Sequence, residues 1–177
     1  SAGIPGSVGG CVRMNAGSWG ISIGDIFYSC DLMDGDGMVT TIRRGELKFG
    51  YRKSSIAMDN VIISASFSLK EGNPRTMEEV EKGYLGKKRS RQPLSLPSAG
   101  SVFKNPGNNS AGRLIEEAGC KGMREGDAQV SKKHANFIIN CRSATGSDVL
   151  SLIDTVRERV LQNAGIELEL ELRLVGF

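Results

Sequence analysis

The chain has 177 residues, of which 39% are hydrophobic and 24% charged, a composition that is typical of a folded globular protein and excludes a disordered one. Its net charge of +3 and its aromatic content of 6% are too low to indicate a protein that binds nucleic acid. No apolar stretch approaches the roughly 20 residues that span a bilayer, so the sequence predicts no membrane partner.

The four cysteines, Cys11, Cys30, Cys120 and Cys141, are scattered and form no closely spaced pair. This spacing argues against a zinc site, and we expect no bound metal and free thiols in a reducing compartment. Residues Ser1–Gly6 lack the charged and apolar regions of a signal peptide and do not begin with Met. The sequence therefore predicts a processed chain or a fragment.

The first segment, Gly3–Gly20, is rich in glycine but also carries apolar residues that favour burial, among them Val8 and Trp19. Its spacing is neither the dinucleotide-binding fingerprint nor a phosphate-binding loop. A loop that is both glycine-rich and apolar is typical of backbone that approaches a ligand closely and donates its N–H groups. A tightly packed connection is the alternative interpretation.

A β-hairpin is predicted next, with strands over Ile26–Met33 and Met38–Ile42 joined by the turn Asp34–Gly37. The turn lacks the remaining ligands of a calcium loop, so turn chemistry explains its two aspartates. A further strand is predicted over Val61–Leu69.

Arg52 lies beside Tyr51 and a glycine, between the hairpin and the last of these strands. An arginine in this setting is commonly a surface group that stacks on the neighbouring ring. The alternative is an anion clamp, because the guanidinium is planar and always charged.

Three helices are predicted in the rest of the chain, over Met77–Arg91, Ala111–Gly119 and Ser147–Asn163. The first is polar and ends in a basic run, which favours a solvated helix end over a surface that faces phosphate. The last has its apolar residues on one face, with Ser147 as the expected N-cap and Gly165 after its end.

Short strands are predicted over Ala128–Val130 and Asn136–Asn140, on either side of His134. This is the only histidine of the chain, and it follows two lysines. Such a residue is more often part of a turn or of the packing than a catalytic base.

The last segment, Ile166–Gly176, alternates strictly between apolar and polar residues. This pattern predicts a strand with its leucines inward and its acidic residues in water. Because the three glutamates occupy equivalent positions in this alternation, the pattern does not distinguish Glu171 from Glu167 or Glu169.

The segment Pro97–Pro106 reads Pro-Ser-Ala-Gly-Ser-Val-Phe-Lys-Asn-Pro and combines a hydroxyl, a cation and an amide. Ser101 follows small residues that leave its backbone uncrowded, and Lys104 and Asn105 suit an anionic ligand. The prolines make a position inside a long helix unfavourable. The residues alone leave open whether this is a site or an ordinary turn, because turns favour the same residue types.

Six motifs occur in order along the chain: Gly3–Gly10, Met14–Gly20, Gly50–Ser54, Pro97–Pro106, Gly126–Asn140 and Leu168–Arg173. Together they resemble the UDP-N-acetylenolpyruvoylglucosamine reductases, flavoenzymes of cell-wall precursor synthesis. The resemblance covers essentially the whole chain. The run Gln-Val-Ser-Lys-Lys-His-Ala-Asn-Phe is similar to that of the shorter, type II branch of the family.

The resemblance implies an α+β fold with three parts. Residues 1–91 would be the C-terminal part of an FAD-binding domain of the PCMH type, and residues 92–165 a small α+β substrate-binding domain. Residues 166–177 would form a strand that returns to the FAD-domain side. The resemblance further implies a monomeric, cytoplasmic bacterial enzyme that uses FAD and NADPH on a UDP-sugar.

The chemistry that the resemblance implies is the reduction of an enolpyruvyl ether to a lactyl ether. NADPH reduces FAD, and flavin N5 delivers a hydride to the vinyl carbon. The charge left on the neighbouring carbon and carboxylate needs fixed cations or donors. Arg52 and a protonated Glu171 would stabilise that charge, and Ser101 would donate the proton to the carbanionic carbon.

The remaining site residues are also implied by the resemblance. The substrate-side positions of the family match Tyr51, Lys104 and Asn105, and Lys104 would help Ser101 to act as an acid. The positions that pack on the flavin and its pyrophosphate lie in the first segment. They are Gly3, Ile4, Pro5, Gly6, Ser7, Gly9, Gly10, Asn15, Ala16, Gly17 and Gly20.

The chain departs from the family pattern in three places. Leu170 and Leu172 flank Glu171 where the family usually has other residues, and Lys53 replaces the usual Asp or Asn. The family also has an N-terminal flavin-binding segment that this sequence lacks. The alternative is therefore a truncated fragment that binds the UDP-sugar but is inactive, because its flavin site is incomplete.

Overall fold

A computed structural model of the chain describes residues 3–4 and 6–176. It has a mixed α+β architecture, which confirms the predicted fold class. The chain divides into two compact units, Ser1–Leu85 and Gly86–Phe177, and each is described by itself. Within the described ranges, no helix is long and apolar enough to cross a membrane, and no cluster of His, Cys, Asp and Glu could hold a metal ion.

The first unit is built around a three-stranded antiparallel sheet in the order β4 (Val39–Arg43), β3 (Phe27–Met33) and β7 (Val61–Phe67). The predicted hairpin is confirmed, because Cys30 of β3 pairs with Ile42 of β4. One face of the sheet packs into a core that includes Val12, Phe27 and Leu32. The elements are α1 (Val8–Arg13), β1 (Gly17–Ser18), β2 (Ile21–Ser22), α2 (Ile23–Ile26), β3 (Phe27–Met33), β4 (Val39–Arg43), a 3-10 turn (Arg44–Glu46), β5 (Phe49–Gly50), β6 (Lys53–Ser54) and β7 (Val61–Phe67).

The prediction of an irregular loop over Gly3–Gly20 is wrong at its centre, where α1 forms. Ser7 is the N-cap of this helix, and its Oγ accepts a hydrogen bond from the Gly10 N–H at 3.1 Å. Val12 is fully buried and anchors the helix to the core. Capping and burial therefore outweigh the low helix propensity of glycine.

The second unit contains a four-stranded antiparallel sheet in the order β8 (Ser98–Ser101), β11 (Phe137–Asn140), β10 (Ala128–Val130) and β9 (Arg124–Glu125). Its core lies between this sheet and two helices and includes Ile115, Val130, Leu152 and Leu168. The remaining elements of the chain are α3 (Pro74–Arg91), β8 (Ser98–Ser101), α4 (Ala111–Glu117), β9 (Arg124–Glu125), β10 (Ala128–Val130), β11 (Phe137–Asn140) and α5 (Gly146–Ala164).

Helix α5 begins earlier than predicted, because its N-cap is Thr145 and not Ser147. Thr145 and Asp148 form a reciprocal capping box: Thr145 Oγ1 accepts from the Asp148 N–H at 3.1 Å, and Asp148 Oδ2 accepts from the Thr145 N–H at 2.8 Å. The predicted end is confirmed, since Gly165 follows the helix with a left-handed φ of 66°.

The segment predicted as a strand over Ile166–Gly176 is not a continuous strand. Only Leu170 forms a β-bridge, with Phe103. The Glu171 and Leu172 N–H groups both point at the Val102 carbonyl, at 2.8 and 3.5 Å, so the segment bends and the ladder stops. The predicted domain boundaries, at residues 1–91, 92–165 and 166–177, stay a prediction.

Candidate functional site

Ser101 ends β8, the strand at one side of the sheet in the second unit, and lies opposite Phe137 of β11. It is half-buried, whereas the next two residues, Val102 and Phe103, are almost completely buried. Within the segment Pro97–Pro106, Ser98–Ser101 form a strand, and the buried apolar pair follows it directly. Burial of those neighbours fixes the backbone from which the Ser101 hydroxyl projects.

Val102 connects Ser101 to Glu171. Its N–H donates to the Asn136 carbonyl at 2.9 Å, and its carbonyl accepts from the Glu171 N–H at 2.8 Å. The residue that follows Ser101 is thus bonded directly to Glu171. The structure brings together these two predicted site residues within the second unit.

Lys104 joins the same group through Glu169. Its N–H donates to the Glu169 carbonyl at 2.8 Å, and its Nζ forms an ion pair with the Glu169 carboxylate. The Lys104 side chain is 24% exposed and that of Glu169 is 73% exposed. The cation is therefore held on a partly buried stem beside the strand that carries Ser101.

The structure separates three glutamates that the sequence pattern could not tell apart. Glu167 pairs with Arg157 at 3.2 Å, and Glu169 pairs with Lys104. Glu171 is the half-buried member of the three, whereas the other two are exposed. Its position next to Val102 gives it a place in the candidate site that no periodicity could reveal.

Asn105 has a structural contact as well as its predicted role. Its Oδ1 accepts a hydrogen bond from the Ala111 N–H at 3.0 Å, at the first turn of α4. Ser110, the N-cap of that helix, accepts from the Arg113 N–H at 3.4 Å. Asn105 therefore links the candidate site to the start of α4.

His134 is part of the packing, as the sequence favoured. Its Nδ1 accepts from the Asn136 N–H at 3.2 Å, and its ring lies edge-on to that of Phe137 with 4.9 Å between centroids. Burial lowers the pKa of His134, so the imidazole is neutral near pH 7. The lone histidine thus supports the backbone of its neighbours.

In the first unit, Arg52 lies in the turn between β5 and β6 and has a left-handed φ of 55°. Its guanidinium lies 4.9 Å from the centre of the Tyr51 ring and donates to the Gly17 carbonyl at 3.2 Å. A left-handed arginine is strained, and such strain often marks a functional position. The structure shows the stacking on Tyr51, and the anion-binding role stays a prediction.

The glycines predicted to hold the flavin differ in how open their backbone is. Gly6 and Gly20 have left-handed φ values of 137° and 82°, and an added Cβ would meet nothing within 4 Å. Gly17, by contrast, is tightly enclosed, because a Cβ there would lie 2.8 Å from the Ile21 carbonyl oxygen. Gly6 and Gly20 therefore present open backbone to which a ligand could come close, whereas Gly17 does not.

Other members of the predicted set have contacts within the protein. Asn15 is buried, where its Nδ2 donates to the Gly50 carbonyl at 2.9 Å and its Oδ1 accepts from the Gly24 N–H at 2.8 Å. Gly9 lies against Ile62, 3.4 Å from a Cβ built on the glycine. The Gly10 N–H donates to the Ser7 Oγ. Gly3 is exposed, whereas Ile4 and Ala16 are half-buried. Pro5 lies outside the described residues.

The sequence reasoning missed two features of these regions. Trp19 is 43% exposed, has a left-handed φ of 58° and stacks on Tyr84 with 5.7 Å between centroids. Asn136 is a buried polar residue bonded to Phe103, two residues after Ser101. Trp19 lies in the motif Met14–Gly20, and Asn136 lies in the motif Gly126–Asn140. The position of Trp19 next to a turn glycine was the sequence signal that could have identified it.

A small apolar cavity of about 320 Å³ lies beside β8 in the second unit. Val102 and Leu172, neighbours of Ser101 and Glu171, contribute to its wall. Because the wall is almost entirely apolar, the cavity does not suit a charged UDP-sugar. Its lining residues are Pro97, Ser98, Ala99, Val102, Ile138, Asn140, Val149 and Leu172.

Comparison with known proteins identifies the family. Residues 92–175 match the family profile described as UDP-N-acetylenolpyruvoylglucosamine reductase, C-terminal domain. The chain is 44% identical over 177 residues to the UDP-N-acetylenolpyruvoylglucosamine reductase of Lactococcus lactis subsp. cremoris, a match that covers 99% of this chain. The chain carries the C-terminal domain of the UDP-N-acetylenolpyruvoylglucosamine reductase family.

Two further members show the extent of the match. The reductase of Moorella thermoacetica is 46% identical over 176 residues. The crystal structure of the reductase from Thermus caldophilus superposes with a TM-score of 0.81 at 38% identity, over 97% of this chain and 61% of that chain. The chain spans 59% and 58% of the Lactococcus and Moorella reductases, so it corresponds to about three-fifths of these family members.

Proposed function

We propose that this chain acts in a flavin- and NADPH-dependent reductase that converts UDP-N-acetylglucosamine enolpyruvate to UDP-N-acetylmuramate for peptidoglycan synthesis. The observation that carries the proposal is the arrangement around Val102 in a chain that carries the C-terminal domain of this family. Ser101 precedes Val102, Glu171 bonds to its carbonyl, and Lys104 follows two residues later. A hydroxyl and a cation thus lie on one short stretch of backbone, and the residue that carries the carboxyl group is hydrogen-bonded to that stretch.

The reduction requires a proton donor for the carbon that becomes carbanionic. Ser101 fills this role in the proposal: its Oγ–H bond breaks as the C–H bond forms, and the serine oxygen later regains a proton from solvent. A serine hydroxyl is a weak acid, so a nearby cation is needed to stabilise the alkoxide. Lys104, three residues after Ser101, is the cation that we assign to this task.

The negative charge on the substrate carboxylate and its neighbouring carbon needs stabilisation of its own. Glu171 would contribute a hydrogen bond from its protonated carboxyl group. Arg52 would contribute a fixed positive charge, and its strained turn and its stacking on Tyr51 limit the freedom of the guanidinium. A preorganised cation loses less entropy when it binds an anion.

The described residues of the first unit fit part of an FAD site. Gly6 and Gly20 present open, left-handed backbone, and exposed apolar side chains lie nearby in sequence at Val8, Trp19 and Ile21. This combination suits a planar cofactor that carries a pyrophosphate. When bound, reduced FAD would supply the hydride, and the open backbone at Gly6 and Gly20 would hold the cofactor.

A second candidate function is binding of the UDP-sugar without flavin chemistry. It is favoured by the position of the family match, because residues 92–175 hold Ser101, Lys104, Asn105 and Glu171 together. The residues proposed to hold FAD lie in the first unit. The two candidates therefore differ in whether this chain binds FAD.

A titration of this chain with FAD separates them. Trp19 is the only tryptophan, is partly exposed and lies beside Gly20, so bound flavin should quench its fluorescence. Quenching, a flavin spectrum retained after gel filtration, and flavin reduction by NADPH would support the reductase. If FAD does not bind but calorimetry detects the UDP-sugar, the binding function is correct. If neither ligand binds, both proposals are wrong.

A further inference from the structure

Asn136 is a polar residue in the apolar interior of the second unit, with an exposed fraction of 4%. Its Oδ1 accepts from the Phe103 N–H at 2.9 Å, and its Nδ2 donates to the Phe103 carbonyl at 2.8 Å. Its backbone carbonyl accepts from the Val102 N–H at 2.9 Å. One residue therefore holds two consecutive residues of the segment that carries Ser101.

The strand register explains why a side chain is needed at this point. Ser101 lies opposite Phe137, so a regular antiparallel ladder would place Phe103 opposite Ala135. Strand β11 begins only at Phe137. The Asn136 amide supplies the donor and the acceptor that a neighbouring strand would otherwise offer to Phe103.

The same backbone is held from its other side by the C-terminal segment. The Val102 carbonyl accepts from the Glu171 N–H, and the Lys104 N–H donates to the Glu169 carbonyl, each at 2.8 Å. The backbone of Asn136 is hydrogen-bonded in turn to His134, whose Nδ1 accepts from the Asn136 N–H. Loss of the amide would leave both backbone groups of Phe103 buried without their partner.

We propose that Asn136 is a positioning residue of the reduction. It fixes the backbone of Val102 and Phe103 and thereby sets the mutual placement of Ser101, Lys104 and Glu171. This inference rests on the proposed function. Asn136 acts through that backbone and has no assigned contact with substrate or flavin.

Two variants and a matched control test the proposal. Asn136→Ala removes both side-chain hydrogen bonds. Asn136→Asp keeps the shape, and its carboxyl group offers the same donor and acceptor only while it is protonated. The control is Asn140→Ala, which removes another backbone-bonding asparagine of the unit, whose Oδ1 accepts from the N–H groups of Arg142 and Ala144 at 3.0 Å.

The first readout is amide hydrogen exchange of this chain by NMR, which needs no cofactor. In Asn136→Ala, the amides of Lys104 and Glu171 should exchange at least about 10-fold faster, while Val130 in the centre of the sheet keeps its protection. In Asn140→Ala, the amides of Lys104 and Glu171 should be unchanged. Uniform loss of protection that includes Val130 would show a global structural role and overturn the proposal.

The second readout separates the two half-reactions in the FAD-loaded chain. Flavin reduction by NADPH should be unchanged in Asn136→Ala, whereas flavin reoxidation by the enolpyruvyl UDP-sugar should slow by about 10- to 100-fold, the scale of a small misplacement of reacting groups. The reoxidation rate of Asn136→Asp should approach that of the wild type at acidic pH and fall as the carboxyl group ionises.

The outcomes distinguish this inference from the proposed function. If the wild type reduces the UDP-sugar and both Asn136 variants do so equally fast at every pH, the positioning role is wrong and the function stands. If the wild type neither binds nor reduces the UDP-sugar, the proposed function fails, and the positioning role fails with it. Faster exchange at Lys104 and Glu171 together with selective slowing of reoxidation supports the role.

Discussion

Lys104 is bound to Glu169 through both its backbone and its side chain. The Lys104 N–H donates to the Glu169 carbonyl at 2.8 Å, and the ammonium group forms an ion pair with the carboxylate of the same residue. The backbone hydrogen bond fixes the position of the Lys104 main chain, and the ion pair neutralises the charge of its ammonium group. An anionic substrate that binds to Lys104 would therefore compete with Glu169.

Glu169→Gln should increase the affinity for the enolpyruvyl UDP-sugar, because the charge of Lys104 is no longer neutralised. Glu169 is largely exposed, so the gain should be small, about 2- to 5-fold, and should shrink as salt is added. Calorimetric titrations at low and high salt measure it. Glu167→Gln, which removes the exposed partner of Arg157, is the matched control and should not change the affinity. Weaker binding in Glu169→Gln would indicate that the carboxylate positions Lys104.

Ser101→Ala should leave flavin reduction by NADPH intact and slow the reduction of the UDP-sugar by about 10²- to 10⁴-fold, the scale for loss of a general acid. Stopped-flow measurement of both half-reactions in the FAD-loaded chain tests this. Ser98→Ala removes an exposed hydroxyl from the other end of the same strand and should retain wild-type rates. Wild-type turnover in Ser101→Ala would exclude Ser101 as the proton donor.

Arg52→Gly and Arg52→Ala should both lose substrate reduction, but they should differ in stability. Glycine adopts the φ of 55° without strain, so the glycine variant should be more stable than the alanine variant by about 1 kcal/mol. Urea unfolding gives the difference. Arg44→Ala serves as the control, because Arg44 also stacks on an aromatic ring, that of Phe49 at 5.2 Å, but has no predicted catalytic role. Full activity in Arg52→Ala would contradict the proposed stabilisation of the enolate.

His134 should make folding stability depend on pH. Burial lowers its pKa below the ordinary value of 6.5, so the unfolded chain binds the proton more readily than the folded chain. The contribution of His134 is therefore complete above pH 6.5 and is lost as the pH falls towards the lowered pKa.

Urea unfolding of the wild type and of His134→Asn at pH 7.5 and 5.5 tests this dependence. Asparagine can still accept the hydrogen bond from Asn136 but does not titrate. The free energy of unfolding of the variant should therefore fall less on acidification. Because His134 is the only histidine, an equal fall in both proteins would show that it is not responsible.

The sequence was sufficient for elements whose own residues determine them. Strand alternation and the turn Asp34–Gly37 located the first hairpin, and the Asp34 side chain indeed accepts from the Met38 N–H at 2.9 Å. Helix α5 was located by its apolar face and by Gly165. The predicted start of this helix was wrong because Ser147 was chosen as the N-cap. Thr145 and Asp148 have the spacing of a capping box, so the correct start could have been predicted from the sequence.

The sequence was not sufficient where the answer depends on a distant partner. Helix α1 forms in a glycine-rich segment because Val12 is buried in the core. The difference between Glu169 and Glu171 arises from Lys104 and Val102, about 65 residues earlier in the chain. Periodicity reports which face a residue is on, but it does not report which residue it meets there. The resemblance to the family selected Glu171, and its role stays a prediction.

The hydrogen bonds of Val102 have a mechanical consequence for any motion of the site. Its carbonyl accepts from the Glu171 N–H, and its own N–H donates to the Asn136 carbonyl, so the backbone of Glu171 and the backbone next to Ser101 are joined through one residue. Neither of these two backbone segments can shift far without moving the other. A ligand that displaces the C-terminal segment should therefore displace Ser101, the proposed proton donor, in the same step. Changes at Leu170 or Leu172 should then alter the proposed proton transfer from a distance.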